Sequence, residues 1–391
     1  MHQIRYIFIF IVLVLAACAK VDVLSGDVMS FDVYTARSGG QSSEGGEWEP
    51  TKADETYVPT GVGHLPSGSS FGVFGFFHPE KEGAMGIWGD TNPNHPNIMY
   101  NQQVTVTETA GVYTCDYNPK RYWPVNEKET ISFFAYYPYD AASGTDSENY
   151  VVKSDLSSAS NGMGKLRYKS DEDPAKQADF LVSDLCANQS KTSGRLTGSG
   201  TDAGKVRFTF HHMLAVVRIN TINVVSENPL IVPDAASFKC AFYGFPVAAN
   251  CIPTPGVPAA NGLAACTFTW DGHYSSVAEI VGGVPQPRDS KMSVPQYTGA
   301  ASKDDFLLVI PHNVSDKERL EVTFDLARET TGNEGYSYKD NSLFALLNTK
   351  ISTIEANKVY TFNITASLHG IEFDAVVTDW TTGSSDLVFD K

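Results

Sequence analysis

The chain has 391 residues and a formal charge of −16, with 45 acidic against 29 basic side chains. So acidic a chain, without a basic cluster, repels phosphates, which excludes nucleic acid as a partner. The length favours two domains, and 32 Gly, 20 Pro, 22 Phe and 18 Tyr, with few long Leu/Ala/Glu/Lys runs, favour strands over helices.

The first element is a short segment with a basic Arg5, an apolar run from Tyr6 to Ala17, and the box Leu15-Ala16-Ala17-Cys18. The run is too short to cross about 30 Å of hydrocarbon as a helix. The three parts together predict a lipoprotein signal peptide over residues 1–17, with Cys18 the lipidated first residue of the mature chain. Acyl chains on Cys18 would tether an exported protein to a membrane, the outer membrane being the one expected.

Val28 to Tyr34 is the first predicted strand, with Met29, Phe31 and Val33 alternating with Ser30, Asp32 and Tyr34. Arg37 to Glu49 reads RSGGQSSEGGEWE, a soft stretch open to proteases, and Lys52 lies just beyond it in Thr51-Lys52-Ala53. Further strands are predicted over Phe71–Phe77, Ile98–Thr107, Val112–Tyr117 and Ile131–Tyr137, the last apolar on both faces and therefore central. Residues 138–177 and 187–205 read as polar loops, with a short strand at Asp179–Leu185 between them.

Val206 to Val225 is the longest strand-like run, and its apolar parity changes. Val206, Phe208 and Phe210 share one face, whereas Met213, Ala215, Val217 and Ile219 take the other. A β-bulge near His211-His212 would return both sets to one core. Adjacent strand residues point to opposite faces, so this histidine pair is not expected to share a metal ion. Beyond it, strands are predicted at Phe238–Tyr243, Phe306–Ile310 and Leu320–Leu326, and a weak helix over Ser342–Thr349. A hairpin of Tyr360–Ala366 with Ile371–Val377 turns at His369-Gly370. Leu387, Val388 and Phe389 follow in a polar setting.

Chemistry-bearing motifs are scarce. Gly68-Ser69-Ser70-Phe71-Gly72 has the letters of a hydrolase elbow, but a Pro-Ser-Gly turn precedes it and a strand follows, so it reads as a turn. No zincin, phosphate-loop or dinucleotide motif is present, and neither catalysis, a metal nor a cofactor is expected. Cys115, Cys186, Cys240, Cys251 and Cys266 lack metal-ligand spacing. An oxidising envelope permits one disulfide among Cys240, Cys251 and Cys266; otherwise these are small buried hydrophobes.

The ordered set of segments resembles the fimbrillin family, the lipoprotein precursors of type V pili. The resemblance rests on the lipobox, Thr51-Lys52-Ala53, Phe71-Gly72-Val73-Phe74-Gly75, Met99-Tyr100-Asn101, Tyr122-Trp123-Pro124, Phe133 to Pro138, Asp179-Phe180-Leu181-Val182, Phe210-His211-His212-Met213-Leu214, and Tyr360-Thr361-Phe362 to Asp379-Trp380. It implies an all-β chain of two tandem transthyretin-like β-sandwich domains. The divisions expected are a lipidated leader over residues 18–52, an N-terminal sandwich over 53–226 and a C-terminal one over 227–391. It further implies a stalk or tip subunit, or an adhesin, of a cell-surface fimbrium. In such subunits a protease cuts after a basic residue, here Arg37 or Lys52, and the first strand, carrying Met29, Phe31 and Val33, leaves a groove that a neighbour's strand fills. Leu387, Val388 and Phe389 are the candidate donor. The expected partners are other fimbrillin-like subunits in a head-to-tail polymer, the outer membrane through lipid, and a host or microbial surface ligand. The long Gly/Ser stretch before Lys52 and the five extra cysteines depart from the family pattern and leave the cut site and the stalk role open. The alternative is a surface glycan-binding lipoprotein of an uptake system, which would show Trp88, Trp123 and Trp270 on one open face.

Overall fold

The computed structural model describes residues 27–35, 65–89, 96–141, 151–156, 163–171, 174–191, 205–225, 231–259, 262–274, 279–281, 284–286, 291–294, 306–328, 337–367 and 370–380. The strands of the first half are β1 (Ser30–Thr35), β2 (Ser70–His78), β3 (Met99–Thr109), β4 (Val112–Asp116), β5 (Thr130–Tyr137), β6 (Val152–Asp155), β7 (Lys165–Lys169), β8 (Leu181–Ser183), β9 (Leu185–Gln189) and β10 (Lys205–His212). Those that follow are β11 (Ala215–Val225), β12 (Ile231–Tyr243), β13 (Ala248–Pro255), β14 (Leu263–Ala264), β15 (Cys266–Tyr274), β16 (Glu279–Val281), β17 (Val284–Gln286) and β18 (Lys291–Val294). The last are β19 (Leu307–Val309), β20 (His312–Asn313), β21 (Arg319–Arg328), β22 (Ser337–Leu346), β23 (Thr353–Ile354), β24 (Lys358–Ser367) and β25 (Ile371–Asp379). The fold is all-β; its helical turns among the described residues are two short 3-10 segments, Pro174–Lys176 and Leu347–Thr349.

Three cores organise these strands. The large first sheet runs β1-β10-β8-β5-β2-β3-β4, with β9 branching from β5 to β14. It curls until its two ends, β1 and β4, touch, and it encloses one core of its own built around Phe31, Phe71, Phe133, Phe208 and Phe210. Its opposite face carries Phe74, Phe76, Phe134 and Tyr136 and packs on a second sheet, β15-β13-β7-β6, through Leu166, Tyr168 and Cys251. A third core lies between the sheets β19-β11-β24-β25 and β18-β12-β21-β22, filled by Phe242, Phe324, Phe362 and Phe373.

Local sequence explains the centre of the first sheet. β5 is central, paired with β2 on one edge and with β8 and β9 on the other, and its two faces meet two different cores, Phe134 and Tyr136 on one side and Ile131, Phe133 and Ala135 on the other, so both are apolar. Gly72 of β2 sits where a Cβ would meet the ring of Tyr136 on β5. The Tyr136 hydroxyl uses that opening to donate to Asn101 Oδ1 at 2.6 Å. The Phe71–Gly75 sequence is therefore a strand that lets an aromatic ring lie against its backbone.

Several expectations are corrected. The parity change in residues 206–225 is not a bulge within one strand. β10 ends at His212, Met213 and Leu214 cross over, and β11 begins at Ala215 in a different sheet. Val206, Phe208 and Phe210 therefore face the core of the curled sheet, while Ala215, Val217 and Ile219 face the third core. Ser342–Thr349 is not a helix but the end of β22 followed by a single 3-10 turn. The polar stretch 138–177 contains β6 and β7, which join β13 and β15 in the second sheet. Residue 226 consequently does not divide the sheets, since the second sheet draws β6 and β7 from before it and β13 and β15 from after it.

The cysteines are free thiols in the described structure. Cys240 belongs to the third core and Cys251 to the core behind the first sheet, so the fold keeps them apart. Cys251 Sγ lies 3.7 Å from Met213 Sδ and Cys266 Sγ 3.9 Å from Met163 Sδ, which is soft apolar packing.

Candidate functional site

The first strand is the element that closes the curled sheet. β1 lies parallel to β10 over six residue pairs, from Ser30↔Lys205 to Thr35↔Phe210. Its alternating side chains point into the enclosed core, where Met29 is 1 %, Phe31 3 % and Val33 1 % exposed. Phe31 is the centre of an aromatic nest, with ring centroids 5.4 Å from Tyr117, 5.7 Å from Phe133 and 5.7 Å from Phe208. At about 2 kcal/mol for each large apolar side chain removed from water, the three residues contribute several kcal/mol to closure.

The start of β1 is also held from the far end of the sheet. The Met29 amide donates to Arg121 O at 2.9 Å, and the Trp123 amide donates to Asp27 O at 3.0 Å. Tyr117 Oη donates to Met29 O at 2.9 Å and accepts from the Arg121 amide at 3.2 Å. Burial raises the pKa of this phenol. The outward side of β1 carries Asp32, whose Cα partner on β10 is Arg207. Asp32 Oδ2 lies 3.6 Å from Arg207 Nε, with both side chains 16 % exposed. The signal for this pair was the single charged residue of the strand, and nothing in the sequence names its partner.

Met29, Phe31 and Val33 are thus brought together in one groove whose floor is β10. Cys18, Arg37, Lys52, Leu387, Val388 and Phe389 lie outside the described residues. His211 and His212 take opposite faces of β10 and different carboxylates. His211 Nε2 is 3.1 Å from Asp184 Oδ1, and His212 Nδ1 is 2.8 Å from Asp179 Oδ2.

The aromatic candidates for stacking on a sugar are not gathered on one open face. Trp123 is buried and packs edge-on against Phe133 inside the curled sheet. Trp88 and Trp270 are half-buried against Phe76 and Phe180 of the neighbouring core. A cleft of about 380 Å³ lies between the Pro66–Ser70 turn, Tyr137–Tyr139 and Gln177–Asp179. Its polar groups are largely committed within the protein: Ser69 Oγ donates to Pro66 O at 2.6 Å, and Gln177 binds Leu308, Ser170 and Asp171. Ser69 thus serves a turn, with no nucleophile elbow around it.

Comparison with known proteins places this geometry in context. No curated protein matches the sequence. Among solved structures, a fimbrial protein from Bacteroides vulgatus is 18 % identical with a TM-score of 0.48, covering 80 % of this chain and 93 % of that one. A protein described as a cell adhesion protein from Bacteroides uniformis is 16 % identical with a TM-score of 0.46, covering 90 % and 98 %. A fimbrilin from Porphyromonas gingivalis is 10 % identical with a TM-score of 0.41, covering 90 % and 98 %. The fimbrillin-like family model matches residues 65–380, more than half of the sequence, and the chain belongs to that family.

Proposed function

We propose that this chain is a structural subunit or adhesin, stalk or tip, of a cell-surface pilus, exported as a lipoprotein through Cys18 and assembled by protease-triggered strand exchange. The single observation that carries the reading is the seating of β1. It is the terminal strand of its sheet, it pairs along one edge with β10, and with Met29 just before it the strand supplies three buried side chains to the enclosed core. Cutting after Arg37, or after Lys52, would free this strand from the rest of the chain. Its departure would expose the backbone groups of β10 and an apolar groove together, and one extended segment from a neighbour satisfies both. Such contacts run head to tail and need not close, which makes a filament. The subunit itself then needs no enzymatic activity. Its partners on this reading are other fimbrillin-like subunits, the outer membrane through the Cys18 lipid before cleavage, and a ligand on a host or microbial surface.

The test is brief trypsin treatment of the purified soluble chain, followed by size-exclusion chromatography with light scattering. Ladders of oligomers are expected from the parent, and monomer from the Arg37→Ala, Lys52→Ala double variant. A parent chain cut at these sites that stays monomeric at high concentration would overturn strand exchange. Palmitate-analogue labelling of parent and Cys18→Ala precursor tests export as a lipoprotein, with label expected on the parent alone.

A further inference from the structure

The first strand is gripped by two different parts of the chain, and the two grips are offset along it. From Ser30 to Thr35 its backbone pairs with β10 alone among the described residues. From Asp27 to Met29 the chain is held instead by the segment that follows β4. There Val28 and Tyr122 form an antiparallel bridge, the Trp123 amide donates to Asp27 O at 3.0 Å, and the Met29 amide donates to Arg121 O at 2.9 Å.

Tyr117 joins the two grips. Its hydroxyl donates to Met29 O at 2.9 Å and accepts from the Arg121 amide at 3.2 Å, so one phenol ties the start of the strand to the segment that holds it. Its ring lies 5.4 Å from that of Phe31, and Lys120 Nζ stands 4.8 Å from the ring centroid. Tyr117 and Trp123 are both buried, and water therefore does not compete freely for the bonds that their polar groups make to Asp27 and Met29.

Every residue of the first strand in these contacts precedes Arg37. A cut after Arg37 or Lys52 thus removes the covalent link to the rest of the chain and leaves each contact in place. We propose that Tyr117, Arg121 and Trp123 form a clamp that retains β1 on the cut chain, and that the opening of this clamp, and not the cut, sets the rate at which the groove empties. The inference rests on the cleavage reading above and adds to it a regulated step between the cut and the exchange. Retention keeps the edge of β10 and the apolar groove covered after the cut, when an empty groove would be an aggregation site. The direction of departure follows from the offset, with the Thr35 end peeling from β10 first and the clamped end at Met29 leaving last.

The test cuts the full chain briefly with trypsin, isolates it by size-exclusion chromatography and looks for the fragment carrying β1 in the main peak by mass spectrometry, where it should still be present. The retained fragment is then exchanged for a fluorescein-labelled peptide of residues 26–37, and release after addition of unlabelled peptide is followed by anisotropy. Tyr117→Phe keeps the ring beside Phe31 and loses the donor to Met29 O; release should be about tenfold faster than from the parent, the scale of a buried carbonyl left without its donor. A peptide N-methylated at Met29, which cannot donate to Arg121 O, should leave the unaltered chain faster by a similar factor, and this arm requires no variant to fold. Equal release in all three cases, or loss of the fragment from the parent as soon as it is cut, would overturn the clamp, and oligomers forming in either case would leave strand exchange standing. A fragment that is retained, and released faster in both altered cases, while no oligomers form at any concentration, would uphold the clamp and overturn strand exchange.

Discussion

The imidazole of His212, the last residue of β10, lies flat on the indole of Trp380, with ring centroids 4.0 Å apart and 20° between the planes. The same imidazole reaches Asp179 Oδ2 at 2.8 Å through Nδ1. Trp380, just beyond β25, is fully buried in the core behind the first sheet, among residues contributed by both halves of the chain. Its amide donates to Asn357 O at 3.0 Å, and the Asn357 amide donates to Leu214 O at 2.8 Å. The end of the last described strand is thus fastened to the crossing point between β10 and β11.

Trp380→Ala should cost about 3 to 5 kcal/mol, the range for removing a buried aromatic ring. Urea denaturation followed by intrinsic fluorescence measures it. Because the side chain joins the two halves, the loss should be accompanied by a separate, earlier transition for one of them. A single transition shifted by less than 1 kcal/mol would contradict this role.

Phe31→Ala should destabilise the uncut chain by a similar amount, about 3 to 5 kcal/mol. Its side chain fills a nest in which no other residue of β1 stands. The measurement is the urea midpoint of the uncut protein, together with the rate at which trypsin cuts it. Both should change in the same direction, towards easier opening.

Gly72→Ala places a methyl group against the ring of Tyr136, which is fixed by its bond to Asn101. The expected cost is about 1 to 3 kcal/mol. Thermal unfolding of Gly72→Ala, with Gly370→Ala as the control at a position with open space around the new Cβ, separates the clash from a general glycine effect.

His312 is buried beside Phe245, and burial is the main reason its pKa lies below the ordinary value near 6.5. Hydrogen bonding to Ile310 O and the nearby Glu318 offset part of that lowering. Below about pH 6.5 the unfolded chain binds a proton at this residue that the folded chain refuses, so stability falls as the pH drops. Comparing urea midpoints at pH 7.5 and in steps down towards pH 5 should show a shallower fall in His312→Gln than in the parent. Parallel curves would exclude His312 as a source of the dependence.

Burial raises the thiols of Cys115, Cys240 and Cys266 to about 12, and that of Cys251 still further. Thiolate is therefore scarce at pH 8, and these residues should resist a disulfide reagent in the folded protein and react rapidly in 8 M urea. Mass spectrometry of the labelled peptides assigns each one. Rapid native labelling of Cys251 would show that the core opens far more readily than its packing indicates.

How much of this was legible follows from how each segment is covered. β1, β24 and β25 alternate because one face meets a core and the other does not, and β5 reads as central because both faces are covered. β7 alternates as cleanly, Lys165-Leu166-Arg167-Tyr168-Lys169, yet its basic outward residues lie in a polar stretch and mask Leu166 and Tyr168, which are fully buried. In β22 the run Leu343-Phe344-Ala345-Leu346-Leu347 suggests helix because it has no period of two. Phe344 is apolar but half exposed, lying 5.2 Å from the Arg319 guanidinium on the outer surface. For the groove, the buried trio of β1 could be read from periodicity. Arg207 could not, because its meaning depends on a parallel pairing between strands more than 170 positions apart.

The crossing between β10 and β11 has a mechanical consequence. Only Met213 and Leu214 separate the strand that floors the groove from a strand that is hydrogen-bonded along its length to β24. There is no slack loop between them to pay out. Tension applied to β10 is delivered almost at once to β11, whose parallel alignment with β24 spreads a lengthwise pull over many hydrogen bonds in shear instead of unzipping them in turn. A chain built this way resists being drawn out from its groove end, a property that force spectroscopy would register as a high rupture force with little extension before it.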